Sequence, residues 1–224
     1  MARKILRSFP AKLKKSFVFD LSLASQHVFD LTKLYLTIPN DQIAYHNILF
    51  SIAMSTTPET ILELGTGPGN SSIAFARVLQ YFNRYYKRSG FLHTCDLDPK
   101  THVSLKKKKC SNQIKYYLMS TDDLAIQWKN NPLDIDLLYI DADHSHEQSM
   151  KDFESFAPYV KPDGIILFHD TFPLSPSHEQ LTLSGTAYQT AQKIKREYAE
   201  EYEISTIPHL SGISIVRKRG KKYF

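Results

Sequence analysis

From Ile61 onward, short β-rich runs alternate with longer amphipathic stretches, and this alternation decides the fold class. Segments 60–64, 91–97, 114–119, 135–140 and 164–168 read as buried strands bounded by polar or turn residues. Between them, 71–81, 99–109, 122–129 and 146–159 have helical length and an apolar stripe. A helix between two strands returns the chain to the same end of the sheet, so the strands run parallel and both faces are covered. After 172–184, a helix at 186–198 precedes two strands, 202–207 and 213–217, joined by a connection of hairpin length (Pro208 to Gly212). The expected fold is α/β: a doubly wound sheet of seven strands, mostly parallel, with an antiparallel last strand. Residues 1–58 do not follow the alternation. There, 28–36 and 42–54 read as two helices broken near Pro39, so an N-terminal helical extension or cap (1–58) is expected beside a main domain (59–224).

The stretch Ile61-Leu62-Glu63-Leu64-Gly65-Thr66-Gly67-Pro68-Gly69-Asn70-Ser71-Ser72 runs from a strand through three glycines into a helix. Glycines at alternate positions let the backbone turn sharply and approach a ligand with no side chain between them. The helix start adds free N–H groups and a partial positive charge. The spacing is GxGxG, not the GxGxxG of a dinucleotide fingerprint, and no Lys-Ser/Thr pair follows as in a phosphate loop. Glu63, just before the first glycine, would repel a pyrophosphate and could hold an ammonium group, so a zwitterionic ligand suits the loop better.

Residues 63–72 resemble motif I of the class I S-adenosylmethionine-dependent methyltransferases, and the order of elements from Glu59 to about Lys218 is similar to that family's Rossmann-like sheet. The resemblance implies that Glu63, Gly65, Thr66, Gly67, Gly69 and Ser71 wrap the methionine part of S-adenosylmethionine. The second strand ends Cys95-Asp96-Leu97-Asp98-Pro99. An acid there can accept hydrogen bonds from ribose hydroxyls at the sheet's switch point. Asp96, followed by Leu97, matches the family's ribose-binding acid, while Asp98 before Pro99 suits a helix cap. After the third strand comes Met119-Ser120-Thr121-Asp122-Asp123, where the family receives the adenine amino group. Asp122 is the expected contact, with capping by Thr121 or Asp122 as the alternative.

The fourth strand ends Tyr139-Ile140-Asp141-Ala142-Asp143-His144-Ser145-His146-Glu147, and the fifth ends Leu167-Phe168-His169-Asp170-Thr171. These strand ends adjoin at the crevice of an open α/β sheet. So many carboxylates and imidazoles there want a cation or a proton-transfer task. Both segments resemble the small-molecule O-methyltransferases of the catechol type and the related D-x-D-H-S-x-E type near cephalosporin-hydroxylase-like enzymes. By that resemblance Asp141, His169 and Asp170 form a mixed N/O site for Mg or another divalent metal, with His169 replacing a carboxylate. His144, three residues after Asp141, takes the place of a catalytic lysine. Imidazole titrates near neutrality and can accept a hydroxyl's proton; a packed or capping histidine is the structural alternative. Asp143 could orient His144 or join the metal.

The charge is +5 from 28 basic and 23 acidic residues, but it is unevenly placed. Six bases precede Asp20 and five follow Glu203, in each case without an acid, which leaves 17 bases against all 23 acids in the body. Basic ends on an acidic body argue only weakly for nucleic acid, since such tails more often solvate, contact a membrane surface or stay disordered. The expected partner is a small-molecule acceptor. Loop 172–185, with Pro173, Pro176, His178 and Glu179, and the N-terminal helices would shape its pocket. An adenine- or cytosine-modifying DNA methyltransferase normally carries an Asn/Asp-Pro-Pro-aromatic stretch where this chain has Asp-Ala-Asp-His; nucleic-acid methylation and a cofactor-binding regulator without turnover are the competing readings. No apolar run reaches the roughly 18 residues of a membrane span. Cys95 and Cys110 form neither a metal-ligand ladder nor a redox pair, so reduced thiols and a cytoplasmic protein are expected, with homodimerisation open.

Overall fold

The computed structural model describes residues 43–172, 185–208 and 211–220. The expected helix at 28–36, most of the 172–184 loop and most of the basic ends lie outside them. The chain divides into two compact units, 1–47 and 48–224. Of the first, residues 43–47 are described, as the start of helix α1 (Ile43–Thr56), which occupies the place expected for the second N-terminal helix.

The second unit follows the alternation: β1 (Thr60–Leu64), α2 (Asn70–Tyr86), β2 (Phe91–Asp96), α3 (Pro99–Lys106), β3 (Ile114–Leu118), α4 (Thr121–Asn130), β4 (Ile135–Ile140), α5 (His146–Phe156), β5 (Val160–His169), α6 (Ala187–Glu197), β6 (Tyr202–Ile207) and β7 (Ile213–Lys218). The strands form one sheet in the order β3-β2-β1-β4-β5-β7-β6. The first five run parallel, and β7 lies antiparallel between β5 and β6. The order reverses at β1 and β4, where the carboxyl ends of neighbouring strands diverge into the ligand crevice of such sheets.

Burial follows position in the sheet. Central β1, β2 and β4 are buried almost throughout, whereas the edge strands β3 and β6 keep exposed or half-exposed positions. Alternate residues of the central strands (Leu62, Leu64, Leu138, Ile140, Ile166, Phe168) share one core with Leu124 and Trp128 of α4, Met150, Phe153 and Phe156 of α5, and Ile194 of α6. The opposite residues face α2, where Phe75 meets Tyr139 edge-on at 5.6 Å. Gly164 permits a bulge in β5: a methyl group there would lie 2.7 Å from a Val160 methyl and 3.0 Å from the carbonyl oxygens of Ile135 and Asp136. Cys95 and Cys110 are both buried and free. No helix among the described residues is long and apolar enough to cross a membrane.

Phe153 is the hub of the helix layer. It is 1% exposed and packs on Phe168, Tyr198 and Tyr202, with ring centroids 5.1 to 5.9 Å apart. Phe153→Ala should cost about 3–5 kcal/mol of unfolding free energy by denaturant titration, because sheet and helices hold the void open.

Candidate functional site

The glycine turn is built by close approach. Gly65, Gly67 and Gly69 have φ of +89°, +49° and +82°, a region that favours glycine. A methyl group on Gly65 would sit 2.1 Å from the carbonyl oxygen of Asp141, so a side chain there would separate the two strand ends. Gly65 N–H donates to the Cys95 carbonyl at 3.1 Å, and Asp141 N–H donates to the Leu64 carbonyl at 2.8 Å. Three strand ends are thereby stitched together.

Asp96 braces the turn. One carboxylate oxygen accepts from Thr66 N–H (3.1 Å) and Gly67 N–H (2.8 Å), and the other from Asp98 N–H (2.9 Å). Thr66 is buried; its hydroxyl lies 2.7 Å from that of Thr94 and donates to the Cys95 carbonyl. Thr101 donates to the Gly67 carbonyl at 2.7 Å. Asp98 caps α3 by accepting from Lys100 N–H, and Leu97 stands 71% exposed beside Asp96.

Glu63 is completely buried beneath the turn, with Ser71 donating to one carboxyl oxygen at 2.5 Å and Ser72 to the other. Burial pushes its pKa up from 4.5 to about 7, against the lowering effect of the hydroxyls of Ser71, Ser72 and Thr94. Ser72 and Thr94 were not singled out from the sequence. The doubled serine at the helix start was a readable signal for the first; a threonine inside a strand offers none.

Asp122 lies in the first turn of α4. It accepts from Gln148 Nε2 at 3.1 Å and from Lys151 Nζ at 2.5 Å. Neither Thr121 nor Asp122 caps the helix; Ser120 does, accepting from Asp123 N–H.

At the ends of β4 and β5, Asp141, His144, His169 and Asp170 bring one ligand-capable atom each to within 4.8 Å of one another. His144 Nδ1 is 2.6 Å from one oxygen of Asp170. His169 Nδ1 is 2.8 Å from Asp141 and 3.5 Å from the other oxygen of Asp170. The second oxygen of Asp141 accepts from the Tyr139 hydroxyl at 3.0 Å. Tyr139 stands two residues before Asp141, and the two-residue period of a strand could have revealed it. Asp143 stays outside the cluster and accepts from Ser145 N–H, while His146 pairs with Thr190 at 2.8 Å.

Asp170 adopts φ of +56°, a left-handed backbone costing about 1–3 kcal/mol. The following residues are held by the turn leading into β7: Phe172 N–H donates to the Ser211 carbonyl at 2.7 Å and Thr171 N–H to the Gly212 carbonyl. Burial alone would raise the Asp170 carboxyl, but hydrogen bonds from His144 and Ser211 and the charge of His169 hold it below the usual range. His144 is raised, chiefly by its hydrogen bond to Asp170. Burial would lower His169, but Asp141 and Asp170 outweigh it and leave it raised. Two carboxylates and two imidazoles are a mixed O/N donor set compatible with a divalent cation of borderline softness.

Residues 62–171 match the family model of a methyltransferase domain. No curated protein matches the chain. Among solved structures, an O-methyltransferase from Bacillus cereus in complex with SAH superposes with a TM-score of 0.62 at 16% identity, covering 88% of this chain and 90% of that one. The O-methyltransferase TomG from Streptomyces achromogenes, in complex with SAM, gives 0.59 at 17% identity over 83% and 82%. An SAH-bound methyltransferase from Podospora anserina gives 0.59 at 16% identity over 95% and 98%. At these identities the likeness establishes the Rossmann-like methyltransferase fold.

The burial of Glu63 has a pH signature. Its folded-state pKa of about 7 exceeds the ordinary 4.5, so the stability of the neutral form is fully present below pH 4.5 and lost as pH rises through 7, a change of about 3 kcal/mol. Glu63→Gln, which cannot titrate, should gain about that much on the wild type between pH 4.5 and pH 8 in denaturant melts. A difference independent of pH would refute the assignment.

Proposed function

We propose, from the premise that this chain is a class I methyltransferase, that it transfers a methyl group from S-adenosylmethionine to a hydroxyl oxygen of a small-molecule acceptor. The observation that carries the reading is the packing of Gly65 against the Asp141 backbone, which sets the glycine turn against the Asp141–His144–His169–Asp170 cluster. On this reading residues 59–224 form the catalytic domain and 1–58 an extension. Gly65, Thr66, Gly67, Gly69 and Ser71 receive the methionine part of the donor, with Glu63 holding Ser71 and Ser72 in place. Asp96 and Leu97 receive the ribose and Asp122 the adenine. The acidic body favours a small acceptor over nucleic acid, and the free buried cysteines fit a reducing cytoplasm.

His144 is the proton acceptor. Asp170 occupies its Nδ1, which favours the tautomer with a lone pair on Nε2. As the acceptor oxygen attacks, its proton passes to Nε2, the new C–O bond forms, and the C–S bond breaks with its electron pair returning to sulfur as a thioether. Asp170 orients the imidazole and stabilises the imidazolium it becomes. Asp141, His169 and Asp170 are the residues that would hold a divalent cation, either Mg or a metal more tolerant of imidazole. Such an ion would lower the pKa of the acceptor hydroxyl and help position it. The orienting groups act through placement, which can remove about 7–11 kcal/mol of such a barrier.

A panel of hydroxylated acceptors, assayed for S-adenosylhomocysteine with and without divalent metal, tests the activity. His144→Gln should lower transfer by about 10²–10⁴-fold while calorimetric affinity for S-adenosylmethionine stays within twofold. Asp96→Asn should weaken that affinity at least about tenfold. Transfer undiminished both in His144→Gln and after chelation would sink the mechanism.

A further inference from the structure

The loop that carries His144 is fixed from a helix some forty residues further along the chain. Within the loop, Asp143 accepts from Ser145 N–H (2.7 Å) and Ser149 donates to the Asp143 carbonyl (3.1 Å). The His144 carbonyl instead accepts from Thr186 N–H at 2.8 Å and Ala187 N–H at 2.9 Å, two amides at the start of α6. Helix-start amides have no partner within their own helix, and here one carbonyl serves both. Thr186 stands at the N-cap of α6 yet makes no side-chain cap bond to it. Its hydroxyl accepts from His146 N–H at 2.7 Å, the first amide of α5. The start of α6 and the segment leading into α5 thus satisfy one another's backbone groups.

Gly185 makes the approach feasible. Its φ is +49°, and a methyl group there would lie 2.2 Å from the His144 carbonyl oxygen and 3.0 Å from His144 Cβ. The His144 side chain is 38% exposed, so packing alone does not aim the ring. Its direction depends on the Asp170 hydrogen bond at one end and on the backbone at the other.

We propose that Gly185 and Thr186 are positioning residues for His144: the start of α6 clamps the His144 peptide so that Nδ1 meets Asp170 and Nε2 faces the acceptor. The inference rests on the reading of His144 as proton acceptor. It assigns a role in turnover, and none in donor binding, to residues remote in sequence from every strand-end motif.

Thr186→Val keeps the shape and removes the acceptor for His146 N–H, and Thr186→Ser keeps that acceptor. Side-chain ¹⁵N spectra of the full chain at alkaline pH should show His144 as a single Nδ1–H tautomer in the wild type and in Thr186→Ser. In Thr186→Val, tautomers should mix. With the best acceptor of the panel, kcat of Thr186→Val should fall about tenfold, with S-adenosylmethionine affinity within twofold, and Thr186→Ser should restore it. Gly185→Ala should act in the same direction. Folded Thr186→Val and Gly185→Ala proteins with the wild-type tautomer and kcat would overturn the clamp. Undiminished transfer by His144→Gln would overturn the proton-acceptor reading, and the tautomer spectra would still decide whether the clamp holds the ring.

Discussion

The contact between Gly65 and the Asp141 backbone is the constraint on which the rest of the crevice depends. Only hydrogen separates the glycine turn from the β4 end, and the two are joined by the bond from Asp141 N–H to the Leu64 carbonyl. The turn that would receive the methyl donor and the cluster that would receive the methyl acceptor are therefore positioned by one backbone junction. The register of the parallel strands brings their carboxyl ends level, and the absence of a side chain lets them touch.

The two kinds of carboxyl beneath this junction illustrate what environment does to one functional group. Glu63 meets only hydroxyls in a sealed space, so the neutral form is favoured. Asp170, nearly as buried, meets two imidazoles and stays ionised. A buried charge is costly unless paired, and here pairing runs along a chain from Tyr139 through Asp141, His169 and Asp170 to His144. The left-handed backbone of Asp170 places its carboxylate between the two rings, and the strain is offset by the hydrogen bonds that Thr171 and Phe172 donate to the Gly212 and Ser211 carbonyls just before β7.

The fold was legible because its signals are local. Short apolar runs along the central strands and a three-to-four-residue period along α2 report burial directly, and the antiparallel closing hairpin follows from the five-residue spacing of β6 and β7. At the site, Asp141, His144, His169 and Asp170 stood out because strand ends concentrate chemistry at a known edge of the sheet, and the structure brings those four together. Asp98 as a cap was equally readable from the proline after it. Ser120 was not chosen over Thr121 and Asp122, because several polar residues in a row can all cap and only the backbone decides among them. Gly185, Thr186 and Thr94 carried no signal: their importance arises from contacts with residues distant in sequence, which no window along the chain can contain.

The place of β7 in the sheet also bears on the order in which the molecule can be completed. As the polypeptide leaves the ribosome, the five parallel strands are available before β7, yet β5 has β4 on one side and must wait for β7 on the other. The amides after Asp170 find their acceptors at Ser211 and Gly212, just before β7 begins. A nascent chain stalled after α6 would hold the glycine turn in full and leave the β5 end untethered. The end of β5, which carries part of the reaction cluster, is thus tethered only once the segment leading into β7 has been made.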